Sequence, residues 1–302
     1  MRMVQSRLVK ALFAQAWLVG LAAGAGHCWA NAAVSIGLTG WNADVIYQSN
    51  YPGDVVQGFD GEGNGSYSWV ENGTYGAADV LNGLPSDGPV TSAIIDQYTE
   101  TKTVFQLQPY NGNNELKLGV PTVDPGQTLT LTTPAGYNNL AILAASGSTG
   151  VGNYTSTMTL TFSDGSTSGT ITYDPYDWGG GSSSQKAFAA NLVRGPSGTE
   201  SESLAISSAS YNMYETDINL TMLTSSDGAL DSAKYIKSIT FAEPKSGRIG
   251  VFAVSGVQNF SAVYLLPEPS TVALLAAAAV PLLLRQSARR RLARWRGAMA
   301  KR

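Results

Sequence analysis

The sequence predicts an all-β protein whose body is a single jelly-roll-like antiparallel β-sandwich. Its composition is typical of a folded, β-rich chain, because 43% of its residues are hydrophobic, only 14% are charged and 33 are glycine. Short stretches of alternating or continuous apolar residues recur along residues 33–264, and Gly, Pro and Asn residues separate them. The same stretch contains no convincing amphipathic helix, so we expect one domain built from ten or so strands.

The clearest strand lies in residues 155–173. Met158, Leu160 and Phe162 alternate with threonines, which predicts one apolar face and one hydroxyl face. The segment Ser163-Asp164-Gly165-Ser166 is typical of a tight turn, and residues 170–173 are predicted to return as the partner strand.

Two continuous apolar runs, residues 140–144 and 249–254, predict central strands that are covered on both faces. The other predicted strands are residues 34–38, 103–107, 115–118, 128–131, 218–223 and 236–241.

Residues 1–30 have the organisation of a secretory signal peptide. A basic start is followed by an apolar run over residues 11–26 and then by small residues, so signal peptidase is expected to cleave after Ala30 or Ala32. A retained membrane anchor is the alternative, but the run is short for a membrane span and glycines interrupt it. Cleavage removes His27 and Cys28, which are the chain's single histidine and single cysteine. The mature protein would then lack the residues for a His- or Cys-based catalytic site, a zinc site of that kind or a disulfide.

The C-terminal segment, residues 265–302, has three parts. Pro267, Glu268 and Pro269 form a spacer that resists helix formation, and an apolar helix is predicted over residues 272–284. Its 13 residues would span about 20 Å of a hydrocarbon core about 30 Å thick, which makes it a marginal transmembrane helix. The tail over residues 285–302 contains eight basic residues, so this end is expected on the cytoplasmic side of the membrane. A buried helix with a solvated basic end is the alternative interpretation.

This order of parts resembles the PEP-CTERM sorting signal, whose tail also carries an ice-binding C-terminal label. Nothing in the sequence indicates ice binding. The resemblance covers about 30 residues and implies an exosortase that processes the Pro267-Glu268-Pro269 motif in bacteria that make exopolysaccharide. It also implies an intermediate anchored in the inner membrane, followed by the cell surface or the extracellular matrix. The tail runs past the usual end of such signals, and its helix contains Pro281.

The second half of the body resembles galactose-binding-like sandwiches. The similarity covers roughly residues 128–257, and it lies in the segments 137–143, 162–167, 177–178, 237–241 and 251–254. It consists mostly of hydrophobic spacing and turns, so it implies a fold and leaves the activity open.

Residues 60–71 have the spacing of a calcium-binding loop. Asp60, Glu62, Asn64 and Glu71 stand at its first, third, fifth and twelfth positions, and Gly65 is the sixth. Glutamate at the third position and the absence of flanking helices depart from an EF-hand, so a flexible acidic hairpin loop is the alternative.

A second candidate site combines Tyr173, Tyr176, Asp177 and Trp178 on one loop. Aromatic rings beside a carboxylate can stack on a sugar and accept hydrogen bonds from its hydroxyl groups. The alternative is that Trp178 and one tyrosine pack beneath the edge of the sandwich. Asp174 and Asp177 could form a glycosidase acid–base pair, although nothing in the loop predicts opposed pKa values for them.

The distribution of charge argues against nucleic acid as a partner. Residues 33–264 contain 8 basic and 21 acidic residues, a net charge of −13, which repels a phosphate backbone. With what the resemblance to the PEP-CTERM signal implies, we expect an exported, exosortase-processed, non-enzymatic surface or matrix protein that associates with exopolysaccharide and binds carbohydrate. The alternative function is a secreted glycoside hydrolase that uses carboxylates alone.

The first testable prediction concerns the N-terminus of the exported protein. Mass measurement of protein recovered from cells and medium should place it at Asn31 or Ala33, because cleavage follows the small residues Ala30 or Ala32. Exported protein that still begins at Met1 or contains Cys28 would contradict this expectation.

Overall fold

The computed structural model describes residues 32–49, 55–61, 65–75, 78–119, 127–147, 155–181, 183–199, 205–207, 210–244 and 246–262. The described residues fall in one compact unit that begins at Ala32. They form strands and three short 3-10 helices and contain no α-helix, so the predicted all-β class is confirmed. The predicted signal peptide and the predicted sorting signal lie outside the described residues.

The strands follow one another in this order: β1 (Val34–Ser35), β2 (Leu38–Thr39), β3 (Ile46–Tyr47), β4 (Val55–Val56), β5 (Tyr67–Val70), β6 (Gly73–Tyr75), β7 (Ala78–Val80), β8 (Gly88–Thr91), β9 (Val104–Leu107), β10 (Leu116–Leu118), β11 (Gln127–Ala135), β12 (Tyr137–Gly147), β13 (Ser156–Phe162), β14 (Ile171–Tyr173), β15 (Arg194–Pro196), β16 (Gly198–Thr199), β17 (Tyr214–Asn219), β18 (Ile236–Phe241) and β19 (Arg248–Gln258). The 3-10 helices are Ser183–Gln185, Leu220–Met222 and Asp231–Ala233.

Two five-stranded antiparallel sheets form the sandwich. The first sheet has the order β1-β19-β12-β17, with β10 also paired to β19, and the second has the order β14-β13-β18-β11-β2. Their facing side chains form one continuous apolar core, in which Leu140 and Ile142 of the first sheet share a cluster with Leu160 and Ile239 of the second.

Strand β13 shows how the sequence pattern produces a half-buried strand. Its residues are alternately buried and partly exposed, with Leu160 fully buried and the threonines on the outer face. It pairs antiparallel with β14 across the predicted turn, where Gly165 has a φ of 86° that favours glycine. The predicted hairpin is confirmed.

Strands β12 and β19 are buried along almost their whole lengths, as their continuous apolar sequences predict. Alternate residues face the sandwich core, while Leu143 of β12 and Phe252 of β19 face a second apolar cluster on the other side of the sheet. This second cluster includes Phe59, Trp69 and Trp178, whose rings contact one another with centroids 4.7 to 5.4 Å apart. The first sheet is therefore the middle of three layers.

The third layer was not predicted from the sequence. It consists of the three-stranded sheet β15-β5-β3 and the short pairs β8-β9, β16-β4 and β6-β7, and within it β3 and β5 are parallel. A buried asparagine helps to fix it, because Asn114 accepts a hydrogen bond from the Val45 amide (3.1 Å) and donates one to Asp44 (2.7 Å). The strands of this layer are only two to four residues long, too short for a clear alternating pattern.

The strand predicted at residues 218–223 is displaced in the structure. Strand β17 ends at Asn219, and the apolar residues that follow form the 3-10 helix Leu220–Met222. The Asn219 side chain caps this helix by accepting a hydrogen bond from the Thr221 amide (2.9 Å). The prediction missed the polar first half of β17.

No helix within the described ranges is long and apolar enough to cross a membrane. The helix predicted over residues 272–284 is not among them.

Neighbouring residues of β13 provide a matched test of the sandwich core. Leu160→Ala should lower the free energy of unfolding by about 2–5 kcal/mol, because Leu160 is fully buried between the sheets. Thr159→Ala, on the outer face of the same strand, should cost about 0.5 kcal/mol or less. Denaturant unfolding of the two variants measures both effects, and equal losses would contradict this arrangement of β13.

Candidate functional site

A cleft of about 450 Å³ lies beside β17, at the edge of the first sheet. Its described lining residues are Ile94, Ile95, Gln97, Thr172, Asp174, Ser184, Gln185, Glu215, Thr216 and Asp217. Three elements besides β17 contribute to it, namely the loop after β8, the end of β14 and the 3-10 helix Ser183–Gln185. None of the described lining residues is Lys, Arg or His, and most of them offer hydroxyl, amide or carboxyl groups.

The register of β17 determines which of its side chains share a face. Glu215 lies opposite Leu143 of β12, and Asp217 lies opposite Ala141. Residues directly opposite each other in an antiparallel pair share a face, so both carboxyl groups lie on the side of the second apolar cluster.

The loop after β8 brings a third carboxyl group to this place. Asp96 is 1% exposed, and one of its oxygens accepts hydrogen bonds from the amides of Tyr98 (2.6 Å) and Thr99 (3.1 Å). The loop is also tied to the edge strand, because the Gln97 amide donates to Asp217 Oδ2 at 3.2 Å. We call Asp96, Glu215 and Asp217 the carboxyl cluster.

The carboxyl groups of the cluster interact with one another and with neutral groups. The Glu215 carboxyl group interacts with the hydroxyl groups of Ser92 and Thr103 and with the Asp217 carboxyl group, whereas Asp96 Oδ2 is buried without a hydrogen-bond partner among the described residues. Glu215 is 1% exposed although it is one of the cleft's lining residues. Burying a carboxyl group as an anion is costly, so burial favours the protonated form of these groups.

The pKa values of the cluster follow this environment. Burial, together with the neighbouring charges of Glu215 and Asp96, raises the pKa of Asp217 to about 8. Burial also raises the pKa of Glu215, while the nearby hydroxyl groups of Ser92 and Thr103 lower it. At neutral pH Asp217 is therefore largely protonated, and the cluster holds at least one proton.

Two further polar side chains beside the cleft connect it with the predicted sugar loop. Asp174 lines the cleft and accepts a hydrogen bond from the Thr155 hydroxyl group (2.8 Å). The Tyr176 hydroxyl group lies 3.5 Å from the other Asp174 oxygen and also interacts with Gln185. The ring of Tyr176 packs edge-on against Tyr214 at a centroid distance of 5.4 Å.

The structure separates the four predicted sugar-contact residues. Tyr173 is 1% exposed in the sandwich core against Phe241, and Trp178 is 4% exposed in the second cluster. Both rings are covered by protein and offer no free face to a sugar, which agrees with the alternative that they pack beneath the edge. Tyr176 and Asp177 are partly exposed, and their contact with a sugar stays a prediction.

The two described residues of the predicted calcium loop have protein partners. Asp60 accepts a hydrogen bond from the Tyr67 amide (2.7 Å) and pairs with Arg194 at 3.4 Å, whereas Glu71 accepts one from the Ser49 amide (3.0 Å). Glu62 and Asn64 lie outside the described residues. Within the described ranges, no group of three His, Cys, Asp or Glu side chains is arranged to hold a metal ion. Calcium binding by the loop stays a prediction.

Sequence reasoning missed the carboxyl cluster. Glu215 and Asp217 alternate with Tyr214 and Thr216, a period-two pattern that indicates a strand with carboxylates on one face. Because the strand was predicted to begin at residue 218, this signal was assigned to no element. Asp174 of the proposed acid–base pair lines the cleft, whereas Asp177 is not among its described lining residues.

Comparison of the chain with protein-family models, with curated proteins and with solved structures finds no match. The inferences about function therefore depend on the sequence and on the geometry of the cleft.

The pKa of Asp217 leads to a prediction about stability. The folded state keeps a proton on Asp217 up to a pH of about 8, whereas the unfolded chain releases it near the ordinary value of 3.8. The folded state thus binds more protons between these values, and its stability falls as the pH rises through that window.

Asp217→Asn should therefore reduce the loss of stability between pH 5 and pH 8, because the amide cannot ionise. Denaturant unfolding of wild type and variant at several pH values measures this effect. Identical pH dependence in the two proteins would show that Asp217 titrates normally.

Proposed function

We propose that this chain is an exported bacterial surface or extracellular-matrix protein whose β body binds polysaccharide through the cleft beside β17. In this proposal signal peptidase removes residues 1–30, and an exosortase processes the chain at Pro267-Glu268-Pro269. The body then reaches the cell surface or the matrix, where it associates with exopolysaccharide without catalysing a reaction.

The sequence of the C-terminal segment supports the sorting part of the proposal. A spacer with two prolines, a marginal apolar helix and eight terminal basic residues follow one another within residues 265–302. A helix of this length suits a temporary hold in the membrane, and the basic residues favour the cytoplasmic side for that end.

The lining of the cleft is the observation that carries the binding part. Its amide, hydroxyl and carboxyl groups can exchange hydrogen bonds with a polyhydroxylated ligand, while Ile94 and Ile95 provide apolar surface for the face of a sugar ring. Tyr176, which the sequence singled out as a sugar contact, interacts with the lining residues Asp174 and Gln185.

The jelly-roll-like topology and the similarity to galactose-binding-like sandwiches are part of the same proposal. The antiparallel sandwich is consistent with jelly-roll-like connections and with the galactose-binding-like resemblance of residues 128–257. That kind of sandwich hosts many functions, so it adds to the plausibility of sugar binding only together with the cleft.

A second candidate function is a glycoside hydrolase that uses carboxyl groups alone. The raised pKa of Asp217 favours it, because a carboxyl group that is protonated at neutral pH can act as a general acid. Asp174, at the same cleft, would be the partner carboxylate. Against this role, Asp217 Oδ1 is buried and Oδ2 accepts the Gln97 amide.

Glu268→Ala tests the sorting part. The variant should accumulate unprocessed in the membrane, because the sorting motif is altered, while the purified body should keep its melting temperature. Glu243→Ala, the same change within the body, should be processed normally. Normal release of the Glu268 variant together with a destabilised body would show that the tail belongs to the fold.

Affinity electrophoresis through exopolysaccharide from a producing bacterium tests the binding part. The polysaccharide should retard the wild-type body and retard Gln185→Ala less, because the amide group is lost from the cleft. Thr159→Ala should behave as wild type. Release of reducing ends by wild type but not by Asp174→Asn would instead support the hydrolase.

A further inference from the structure

The loop over residues 92–103 holds its own shape, and its middle forms one wall of the cleft. The Ser92 amide donates to the Thr103 carbonyl group (2.9 Å), which closes the base of the loop. In its middle, the Glu100 amide donates to the Asp96 carbonyl group (2.9 Å), and the Asp96 side chain accepts the two amides described above. These bonds lie within the loop, so its turn does not depend on β17. We call residues 92–103 the cleft loop.

The cleft loop is attached to β17 through two carboxyl groups of that strand. Its base contacts Glu215, because the hydroxyl groups of Ser92 and Thr103 interact with that carboxyl group. Its middle contacts Asp217, whose Oδ2 accepts the Gln97 amide at 3.2 Å. The loop therefore meets the edge of the sheet at two side chains that can each carry a negative charge.

The two carboxyl groups also interact with each other, and this interaction requires a proton. Burial is the largest cause of the raised pKa of both groups, but their mutual hydrogen bond acts on them in opposite directions. It raises the pKa of Asp217 and lowers that of Glu215, as expected where Asp217 donates its proton to a Glu215 carboxylate. At neutral pH one proton thus lies between the two groups that hold the cleft loop.

Loss of this proton would bring three negative charges together. The charges of Glu215 and Asp96 both oppose the ionisation of Asp217, whereas the Gln97 amide favours it to a smaller extent. Like charges in a poorly solvated place repel each other strongly. Ionisation of Asp217 therefore favours separation of the groups or entry of water between them.

The elements packed around the cluster do not offset this repulsion. The opposite positions on β12 are Ala141 and Leu143, which do not ionise, and the 3-10 helix Ser183–Gln185 has only neutral side chains. The other ionisable side chains on the neighbouring segments are Asp174 at the cleft, Lys186, which donates to Asn191 (3.0 Å), and Glu100 and Lys102, which are exposed on the cleft loop. The charges that act on Asp217 are those of the cluster itself.

The cleft loop is the element that can yield to this repulsion. Strand β17 is held to β12 over six residue pairs, whereas the middle of the loop is joined to β17 by the Gln97 amide. The base of the loop has a further anchor, because the Ala93 amide donates to the Ala187 carbonyl group (2.7 Å). The middle is therefore expected to swing outward about the base, and it would take the lining residues Ile94, Ile95 and Gln97 away from the cleft.

We propose that the proton between Glu215 and Asp217 fastens the cleft loop to β17, so that the cleft keeps this wall at neutral pH and loses it in alkaline solution. The proton passes from Asp217 to a base in the solvent, and no other bond to hydrogen is broken. The inference rests on the proposed function where it concerns the ligand: alkaline pH releases polysaccharide from the cleft.

A fluorescent label in the middle of the cleft loop tests the movement. Tyr98, which is 43% exposed, is changed by Tyr98→Cys in a full chain that also carries Cys28→Ser, so that a bimane label has a single thiol. Its emission should shift with a midpoint near a pH of about 8. Asp217→Asn should remove the shift, because the amide can donate to Glu215 and does not ionise. Glu215→Gln should lower the midpoint, because Asp217 then ionises beside a neutral amide.

Co-sedimentation with exopolysaccharide from a producing bacterium tests the consequence for the cleft. Wild type should bind about tenfold more weakly at a pH of about 9.5 than at about 6.5, because apparent affinity falls with the fraction of molecules whose loop is in place. Asp217→Asn should bind equally at both pH values. Asp79→Asn, on the exposed β6–β7 hairpin, should show the wild-type ratio, and melting temperatures verify that each variant is folded.

The outcomes separate the two proposals. A label that does not respond to pH in wild type, or that responds identically in Asp217→Asn, would overturn the inference and leave polysaccharide binding intact. Binding that stays constant with pH while the loop moves would also overturn it. A loop that moves as expected in a chain that binds no exopolysaccharide at either pH would support the proton-dependent fastening and overturn the proposed function alone.

Discussion

The fold depends on covering both faces of the β12–β19 pair. These two strands are apolar almost throughout, and apolar surface that remains in water opposes folding at roughly 25 cal/mol per Å². The second sheet covers one face, and the short strands and loops of the third layer cover the other. Phe59, Trp69 and Trp178 fill the space between the third layer and the middle sheet. The third layer is thus required by the hydrophobicity of strands far from it in sequence.

This arrangement also buries carboxyl groups, and their charged neighbours differ between the two edges of the first sheet. Glu115, which is fully buried, has the neighbouring charges of Lys117 and Arg248, which partly offset the rise that burial causes in its pKa. Glu215 and Asp217 stand at the opposite edge of the same sheet, where their neighbours are other carboxyl groups. Buried carboxyl groups without a cation cost folding free energy as anions, and the raised pKa of Asp217 shows that a proton takes the place of the missing cation at neutral pH.

The sequence predicted those parts of the fold in which local pattern and tertiary environment agree. Strand β13 alternates because one face is buried, and the run in residues 249–254 is continuous because both faces are covered, so periodicity alone sufficed. Periodicity could not predict that Leu220 lies in a 3-10 helix. Strand β17 ends at Asn219 because the Asn219 side chain caps that helix through a hydrogen bond, which a hydrophobic pattern does not indicate. The third layer was not predicted, because strands of two to four residues are too short to show an alternating hydrophobic pattern.

The candidate site was less predictable than the fold. The aromatic residues at 173 and 178 suggested a sugar site, but aromatic rings fill cores as readily as they line clefts, and here they are buried. Tyr176 was singled out by its type and lies beside the cleft, whereas Glu215 and Asp96 are 119 positions apart and meet only in the folded chain. Long-range convergence of this kind leaves no local signal in a single sequence.

The central claim is that the carboxyl cluster beside β17 keeps a proton at neutral pH. Carbon-13 NMR of the Asp217 carboxyl group during a pH titration of the body tests it most directly. The account predicts a midpoint near a pH of about 8, because burial and the charges of Glu215 and Asp96 oppose ionisation. A midpoint near the ordinary value of 3.8 would contradict it.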